Sequence, residues 1–304
     1  MKIFIKDVFC TLLSLLRIVR HFRKPDKFYQ SNLNTKVCFV MGNGPSLEDD
    51  LSRIDNLKLL TDVWCVNGFA ETELYEKIRP THYVLADSSY WENVVSDRIL
   101  EIREHLFRSI MSRTTWPLTI YVPFEAKKYF GKNFFKSKYI NCLTYNSVPV
   151  SGLWIIVIKL YQLGLGMPLP QNVLIAALFL ALSSGYKKIV LLGADHSWHQ
   201  TLELDTDNRV CLRDKHFYEK DGILMPFYAN GEECRTFTMP QLFTALAKTF
   251  EGYWTISEYA RYIGVDIINA SSVTYIDAFK RSTQLNMEDL VACPFAATAA
   301  GDAS

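Results

Sequence analysis

Several features that mark common protein classes are missing from this chain of 304 residues. Its seven cysteines form no Cys-x-x-Cys pair; they stand at positions 10, 38, 65, 142, 211, 234 and 293. An odd, scattered set is typical of a reducing cytoplasm rather than of a disulfide framework. The net charge is only +1, so we expect no nucleic-acid-binding surface spread over the whole protein. No internal repeat stands out.

A long apolar run is also absent from the N-terminal segment, residues 1–24, although that segment is rich in Ile, Leu, Phe and Val. Its uncharged middle, Val8–Leu16, is shorter than the roughly 20 residues that a spanning helix needs. No small-residue cleavage site follows, so we expect no cleaved signal peptide. Basic residues close the segment at 20–24, and the pattern predicts an amphipathic helix in the plane of an anionic membrane surface. A helix packed on the protein's own core, or on a second subunit of a homo-oligomer, is the alternative.

The rest of the chain divides by composition into a linker, one large domain and a tail. Residues 25–36 are polar and predicted to link the N-terminal helix to the domain, which spans 37–285. Residues 286–304 mix small, apolar and polar types, and we predict a disordered tail. Within the domain, buried strands alternate with helices. This order predicts an α/β, Rossmann-like, doubly wound fold with a mainly parallel sheet.

The central motif is the loop Gly42–Ser46, which directly follows the apolar run Val37–Met41. A β-rich run without polar alternation predicts a strand buried on both faces, as in parallel sheets. Gly42 and Gly44 permit a tight turn, and Pro45 suits the first turn of a following helix. A strand, turn and helix in this order direct free backbone N–H groups at an anion, usually a nucleotide phosphate. A plain strand-to-helix turn is the alternative, because neither a third glycine nor Gly-Lys-Ser/Thr follows.

Two further predicted strands also end in polar side chains, Asn67 after the strand at 62–66 and Asp87 after the strand at 82–86. Ligands of open parallel sheets bind beyond the carboxyl ends of the strands. Asn43, Asn67 and Asp87 are therefore predicted to line one crevice. A turn residue at Asn67 and a helix N-cap at Asp87 are the alternatives.

A second motif follows the strand at 189–192 and contains Gly193, Asp195 and His196. His196 and His199 have the spacing of some metal sites, but no cysteine is near and Asp195 is the only neighbouring carboxylate. We therefore predict no metal at this position.

A polar, turn-rich segment, about 199–238, follows and is predicted to form a lid over the site. His216 lies within it beside charged and aromatic neighbours. Since an unperturbed histidine has a pKa near ~6.5, His216 is a candidate general base. A surface histidine is the alternative.

Together these motifs resemble two related families. Gly42-Asn43-Gly44-Pro45-Ser46-Leu47 resembles the nucleotide-binding motif of the bacterial sialyltransferases that use CMP-activated sialic acid. It also resembles that of the MptE-like family, which includes pterin pyrophosphokinases and the motility-associated flagellin glycosyltransferases. The likeness continues in the second strand, 65–67, in the stretch 185–195 ending Gly-x-Asp, and in the closing helix and strand, 259–271. It covers roughly residues 37–280.

The resemblance implies a GT-A-like variant of the sialyltransferase type, with nucleotide contacts and a lid base. Asn43 and Asn67 would contact the nucleotide and His216 would deprotonate the acceptor. The implied nucleotide-binding set is Gly42, Asn43, Gly44, Pro45, Ser46, Asn67, Asp87, Ser151, Gly152 and Asp195, with Tyr218 and His196 at the phosphate. Ser151-Gly152 stands for the family's Thr-Ser-Gly turn, although Gln171-Asn172 fits the position as well. Asp87 replaces an Asn of the sialyltransferases; a carboxylate suits a ribose or acceptor hydroxyl, or a divalent cation.

The expected function is inverting transfer of a sugar, with a CMP-activated acidic sugar favoured, to a surface-glycan acceptor, either free or lipid-linked. No cofactor is required, and a divalent cation is optional. The expected location is the cytoplasm of a bacterium, peripheral on the inner membrane through residues 1–24. One alternative is a Mg²⁺-dependent diphosphotransferase of the pterin pyrophosphokinase kind, with Asp87 and Asp195 near the metal. Another is a non-catalytic nucleotide-binding scaffold.

Overall fold

The computed structural model describes residues 2–21, 37–54, 57, 60–93, 95–131, 134–213, 224–228 and 235–282. The strands are β1 (Val37–Met41), β2 (Val63–Val66), β3 (His82–Val84), β4 (Leu118–Pro123), β5 (Ile140–Tyr145), β6 (Lys188–Leu192), β7 (Leu202–Leu204), β8 (Val210–Arg213), β9 (Leu224–Pro226), β10 (Asp266–Asn269) and β11 (Lys280–Arg281). The helices are α1 (Lys2–His21), α2 (Leu47–Ser52), α3 (Leu74–Ile78), α4 (Asp97–Arg113), α5 (Trp154–Gln162), α6 (Val173–Ser183) and α7 (Met239–Tyr262). The predicted linker, 25–36, and the predicted tail, 286–304, lie outside these residues.

Eight strands form one sheet in the order β11-β10-β6-β1-β2-β3-β4-β5, and every neighbouring pair is parallel. The central strands β1, β2 and β6 are buried along their whole length, as the unbroken apolar runs predict. The prediction of a doubly wound α/β fold with a mainly parallel sheet is confirmed. β5 was not predicted, because this edge strand is half-exposed and lacks an apolar run.

Helices cover both faces of this sheet. One apolar core lies beneath α1, α5, α6 and α7, and the other lies beneath α2, α3 and α4. α6 is buried from Leu174 to Leu182, which explains a helix sequence without a polar face. α7 is continuous from Met239 to Tyr262. Gly252 does not break it but admits Ile175, whose Cδ1 would lie 2.5 Å from an added Cβ.

The predicted lid, 199–238, is more ordered in its described part than a structureless loop. β7, β8 and β9 form a three-stranded antiparallel sheet. Asp205 organises the turn between β7 and β8 by accepting hydrogen bonds from the backbone of Asp207 and Arg209 at 3.0 and 2.9 Å. The described part of this segment is therefore a small sheet, and its role as a lid stays a prediction.

α1 packs on the domain through one stripe of Thr11, Ser14 and Ile18, all buried. Ile18 belongs to the core shared with α5, α6 and α7. The helix therefore packs on the protein's own core, which was one of the alternatives considered. Most of its large apolar side chains nevertheless stay exposed. In the described part of the chain, no helix combines the length and the apolar content that crossing a bilayer requires.

Candidate functional site

The carboxyl ends of all eight parallel strands lie at one edge of the sheet, which we call the carboxyl edge. From β1 the chain adds strands on one side as far as β5, and then returns to place β6 on the other side of β1. The topological switch point therefore lies between β1 and β6, where open sheets of this kind bind ligands. The loop Gly42–Ser46 follows β1 there, and the loop Gly193–His196 follows β6.

These two loops are bonded directly to each other. The Gly42 N–H donates to the Leu192 carbonyl at 2.9 Å, and the Gly44 N–H donates to the Gly193 carbonyl at 2.8 Å. A Cβ on Gly42 would lie 2.4 Å from the Gly193 oxygen, far inside contact distance. The glycines are therefore needed for the close approach of two protein loops.

Ser46 completes this contact through Asp195. Its backbone N–H donates to Oδ2 of Asp195 at 3.1 Å, and its hydroxyl donates to Oδ1 at 2.7 Å. The N–H groups of Gly42, Gly44 and Ser46 are thus taken up within the protein. The prediction that they point free at a phosphate is wrong, although the strand, turn and helix succession itself is correct. Pro45 is exposed at the tip of the loop.

Asp195 is buried, and its carboxylate joins the two loops through the hydrogen bonds from Ser46. Burial raises the pKa of this carboxyl above its ordinary value, while the two hydrogen bonds from Ser46 act to lower it. A Cβ on Gly44 would lie 2.0 Å from Oδ1 of Asp195, so no space remains on that side of the carboxylate. The tight contact with Ser46 and Gly44 favours a structural role over direct contact with a nucleotide.

Asp50, a buried residue that the sequence analysis missed, supports the same junction. Its carboxylate accepts the N–H of Gly193 at 2.8 Å and the N–H of Ser272 at 2.7 Å, and it pairs with Arg53 at 2.7 Å. The available signal was position: Asp50 lies on the same helical face as Leu47 and the apolar stripe that follows it. A carboxylate on an apolar face indicates a buried partner.

Asn43 and Asn67 are brought together at the carboxyl ends of β1 and β2. The Asn43 amide Nδ2 donates to the carbonyl of Val66 at 3.1 Å. Since only the NH₂ group can donate, this bond fixes the amide orientation and leaves Oδ1 facing away. Oδ1 of Asn43 and Oδ1 of Asn67 are both buried and have no hydrogen-bond partner among the described residues. An unpaired buried acceptor costs about 1–3 kcal/mol, so a donor group that reached either oxygen would stabilise the structure.

The turn that contains Asn67 is stabilised by hydrogen bonds to Tyr83. Asn67 adopts a left-handed backbone, with φ of 47°, a conformation that asparagine tolerates better than most residues. The buried Tyr83 hydroxyl donates to the Asn67 carbonyl and accepts the N–H of Ala70. The side chain of Asn67 is therefore presented by a rigid turn at the edge of the sheet.

Asp87 follows β3 at the same edge, but it caps a short 3₁₀ helix, Ser88–Tyr90, by accepting the Ser89 N–H at 2.9 Å. Asp87 is therefore a helix N-cap, as the alternative predicted. Asp87 is exposed, and three strand spacings of about 4.8 Å place it roughly 14 Å from Asp195. The two carboxylates are too far apart to share one ion. The described residues contain no group of three or more His, Cys, Asp or Glu side chains suited to a metal.

His196 is buried in a polar cluster with Asn172 and Tyr253 rather than at an open phosphate site. Its Nε2 bonds the Tyr253 hydroxyl and lies 3.1 Å from Nδ2 of Asn172, which also caps α6. Burial lowers the pKa of His196 to about 3, so the ring is neutral near pH 7. A neutral, enclosed imidazole does not fit the predicted phosphate contact. His199 is exposed and packs edge-on against Tyr275.

Ser151 and Gly152 lie beyond β5 and form the joint with α1. The Ser14 hydroxyl donates to the Ser151 carbonyl at 2.9 Å and accepts its N–H at 3.0 Å. Gly152, with φ of 124°, approaches α1 so closely that a Cβ would lie 2.2 Å from the Thr11 hydroxyl. The contacts observed for these two residues are with α1. Their predicted nucleotide contact stays a prediction.

The candidate base, His216, and the candidate phosphate ligand, Tyr218, lie outside the described residues. In the sequence they fall between β8 and β9 of the small antiparallel sheet. Their roles stay predictions.

Comparison with known proteins gives a match among solved structures and none among families or curated sequences. No protein-family model matches the chain, and no curated protein matches it in sequence. Among solved structures, it is similar to the MAf glycosyltransferase from Magnetospirillum magneticum AMB-1, with a TM-score of 0.50 and 13% sequence identity. The match covers 91% of this chain and 38% of that one, so the chain spans well under half of the solved protein. The likeness shows the fold alone.

Proposed function

We propose that the chain is a glycosyltransferase that moves a sugar from a nucleotide-sugar donor to a glycan acceptor. The observation that carries the proposal is the pair of unpaired buried oxygens at Asn43 and Asn67, beside the switch point of a parallel sheet. Amide oxygens accept hydrogen bonds, so they suit the hydroxyl or amino groups of a nucleoside and not its phosphate. The fold shared with a solved glycosyltransferase supports the same class.

At the finer level, we propose a CMP-activated acidic sugar as donor and inversion at the transferred carbon. The exocyclic amine of cytosine and the ribose hydroxyls are donors of the kind that the two oxygens lack. Because the N–H groups of Gly42, Gly44 and Ser46 are occupied, the charge of the leaving phosphate has to be met elsewhere. We assign that role to Tyr218 and the acceptor's deprotonation to His216. A positioned general base contributes roughly 100–10,000-fold.

We further propose that the acceptor is a surface-glycan precursor carried on a lipid, met at the inner face of the bacterial membrane. The enzyme would be peripheral there through residues 1–24, and no metal would be required for transfer.

The test is a thermal-shift panel on the purified chain with CMP, CDP, UDP, GDP and ATP, each with and without EDTA. A ligand that binds only the folded state raises the apparent stability. Stabilisation by CMP that survives EDTA is expected. A metal-dependent response to UDP or GDP would keep glycosyl transfer and discard the CMP assignment. Stabilisation by ATP only with Mg²⁺ would replace the proposal with the diphosphotransferase, and no response to any nucleotide would overturn it.

The catalytic assignment needs a separate variant. His216→Ala should abolish transfer while keeping the CMP-induced shift. Full activity in this variant would remove His216 from the mechanism, and nucleotide binding by an unaltered chain that transfers no sugar would favour the scaffold alternative.

A further inference from the structure

A pocket of about 390 Å³ opens beside the end of α1, at the carboxyl edge of the sheet. Its lining side chains are His21, Phe124, Glu125, Lys127, Lys128 and Asn146. The 3₁₀ helix Phe124–Lys128 follows β4, and Asn146 follows β5. The pocket is therefore two to four strands, or roughly 10–19 Å, from Asn43 and Asn67 along the same edge. That distance places it outside the nucleotide crevice and within reach of a second substrate.

The charge of this pocket suits an anion. Three of its lining side chains are basic, and Glu125 is the one carboxylate among the six. Both oxygens of Glu125 lie 3.0 Å from the Ser147 hydroxyl, which holds the carboxylate toward that side. A lysine ammonium is a compact charge that binds phosphate well.

α1 leads to this pocket and carries an apolar surface that nothing in the described chain covers. The exposed large apolar residues of the helix are Phe4, Ile5, Phe9, Leu12, Leu15, Leu16 and Val19, which are 39–80% exposed. At 3.6 residues per turn, all seven fall on one arc, and the buried stripe of Thr11, Ser14 and Ile18 lies beside it. We call this surface the apolar arc.

The charges of α1 are arranged around the apolar arc. Lys6, Arg17 and Arg20 project along the margin away from the buried stripe. Asp7 is the only acidic residue of the helix and lies on the stripe that faces the domain. The exposed part of α1 is thus apolar and basic without a carboxylate, the arrangement of a helix that lies in an anionic membrane surface.

The joint at Ser151 and Gly152 holds α1 in a fixed position on the domain. Besides the bonds between Ser14 and Ser151, the Thr11 hydroxyl accepts the N–H of Leu153 at 2.8 Å. The apolar arc and the pocket therefore keep a constant relation to the crevice. A lipid whose chain packs against the apolar arc near the end of α1 would have its head group beside the pocket.

We propose that the pocket binds the phosphate or diphosphate of a membrane lipid whose chain packs against the apolar arc. The inference rests on the proposed function, since it names this lipid as the carrier of the acceptor sugar. The phosphate sits at His21, Lys127 and Lys128, and the attached saccharide extends along the carboxyl edge toward Asn43 and Asn67. The acceptor site is thus assembled jointly by α1 and the loops after β4 and β5.

The test uses the full chain with geranyl diphosphate and with inorganic diphosphate, by calorimetry, and with phosphatidylcholine vesicles with and without phosphatidic acid, by flotation. Geranyl diphosphate should bind more tightly than inorganic diphosphate, and flotation should require phosphatidic acid. Lys127→Gln with Lys128→Gln should weaken geranyl diphosphate binding about tenfold for each lysine. The matched control, Lys187→Gln with Lys248→Gln, removes two exposed charges elsewhere and should bind like the unaltered chain.

Several results would overturn the proposal. They are equal binding by the two double variants, equal affinity for the two diphosphates, and a dimer that covers the arc and prevents flotation. Absence of a nucleotide-induced shift in the unaltered chain would instead overturn the proposed function, and the lipid measurements do not depend on it.

Discussion

At the scale of single residues, Asn67 combines two requirements that can be separated by one substitution. Its left-handed backbone suits asparagine or glycine, and its buried amide oxygen has no hydrogen-bond partner among the described residues. Asn67→Gly keeps the backbone and deletes the amide. Loss of one hydrogen bond should weaken CMP binding about three- to tenfold, as measured by calorimetry.

A matched control for Asn67→Gly is Arg79→Gly. Arg79 has the same left-handed backbone, with φ of 53°, but it precedes β3 and so lies at the opposite edge of the sheet. Neither variant should lose much stability, because glycine suits a left-handed backbone, and this gain offsets its greater freedom in the unfolded chain. Equal CMP affinity in the two variants would exclude Asn67 from the nucleotide site.

Two buried histidines should make the fold sensitive to acid. Burial lowers the pKa of His82 and of His196 from 6.5 to about 3. Below pH 6.5 the unfolded chain therefore binds protons that the folded chain does not, so stability is full above that pH and is lost as the pH falls toward 3. At about pH 5 each histidine accounts for a loss of about 2 kcal/mol. The raised pKa of Asp195 acts in the opposite direction, because its contribution is lost as the pH rises.

Urea unfolding at about pH 7.5 and about pH 5 checks this sign. His82→Gln removes one buried titrating group, so its free energy of unfolding should fall by about 2 kcal/mol less than that of the unaltered chain. Comparison at the same two pH values cancels the effect of Asp195. His199→Gln, at an exposed position, is the control and should keep the full dependence. An unchanged dependence in His82→Gln would mean that His82 is protonated in the folded state.

At the scale of elements, the attachment of α1 depends on Gly152. A Cβ there would lie 2.2 Å from the Thr11 hydroxyl and 2.6 Å from the Asp7 carbonyl, and the φ of 124° is unfavourable for any other residue. Gly152→Ala should therefore release α1 while the sheet stays folded. Amide hydrogen exchange should show lost protection in α1 and native protection in β1 and β6.

The control for this variant is Gly131→Ala, where none of the described residues lies within 4 Å of an added Cβ. It should leave the exchange of α1 unchanged. Native protection of α1 in Gly152→Ala would show that the joint yields to the extra methyl group and does not fix the helix.

The elements also show what a sequence can and cannot predict. The strands β1 and β6 were predictable because burial on both faces leaves an unbroken apolar run. β5 and the small antiparallel sheet were not, because their half-exposed strands carry mixed residues. The polar residues that end β1 and β2 could be placed at one edge from topology alone. The hydrogen bonds of the Gly44 and Ser46 N–H groups could not be predicted, because their partners are about 150 positions away in the sequence.

At the scale of the whole molecule, the two apolar cores share one sheet, whereas α1 adds little to either. Of the α1 side chains whose burial is described, residues 4–21, only Thr11, Ser14 and Ile18 are buried, and Ile18 is the one apolar residue among them. Most of the apolar surface of α1 stays outside the fold. The helix is thus an attached element whose loss the domain can survive.

Removal of residues 1–24 should therefore separate nucleotide binding from lipid contact. Loss of one buried isoleucine and the joint hydrogen bonds should lower the free energy of unfolding by about 3–5 kcal/mol, with the transition still cooperative. The CMP-induced thermal shift should persist, because the observed side-chain hydrogen bond of Asn43 is to Val66 after β2 and not to α1. Flotation with vesicles should be lost, and transfer should continue to a water-soluble acceptor but not to a vesicle-bound one. Equal transfer to both acceptors by the shortened chain would assign membrane contact to another surface, while loss of the CMP shift would mean that α1 helps to build the nucleotide crevice.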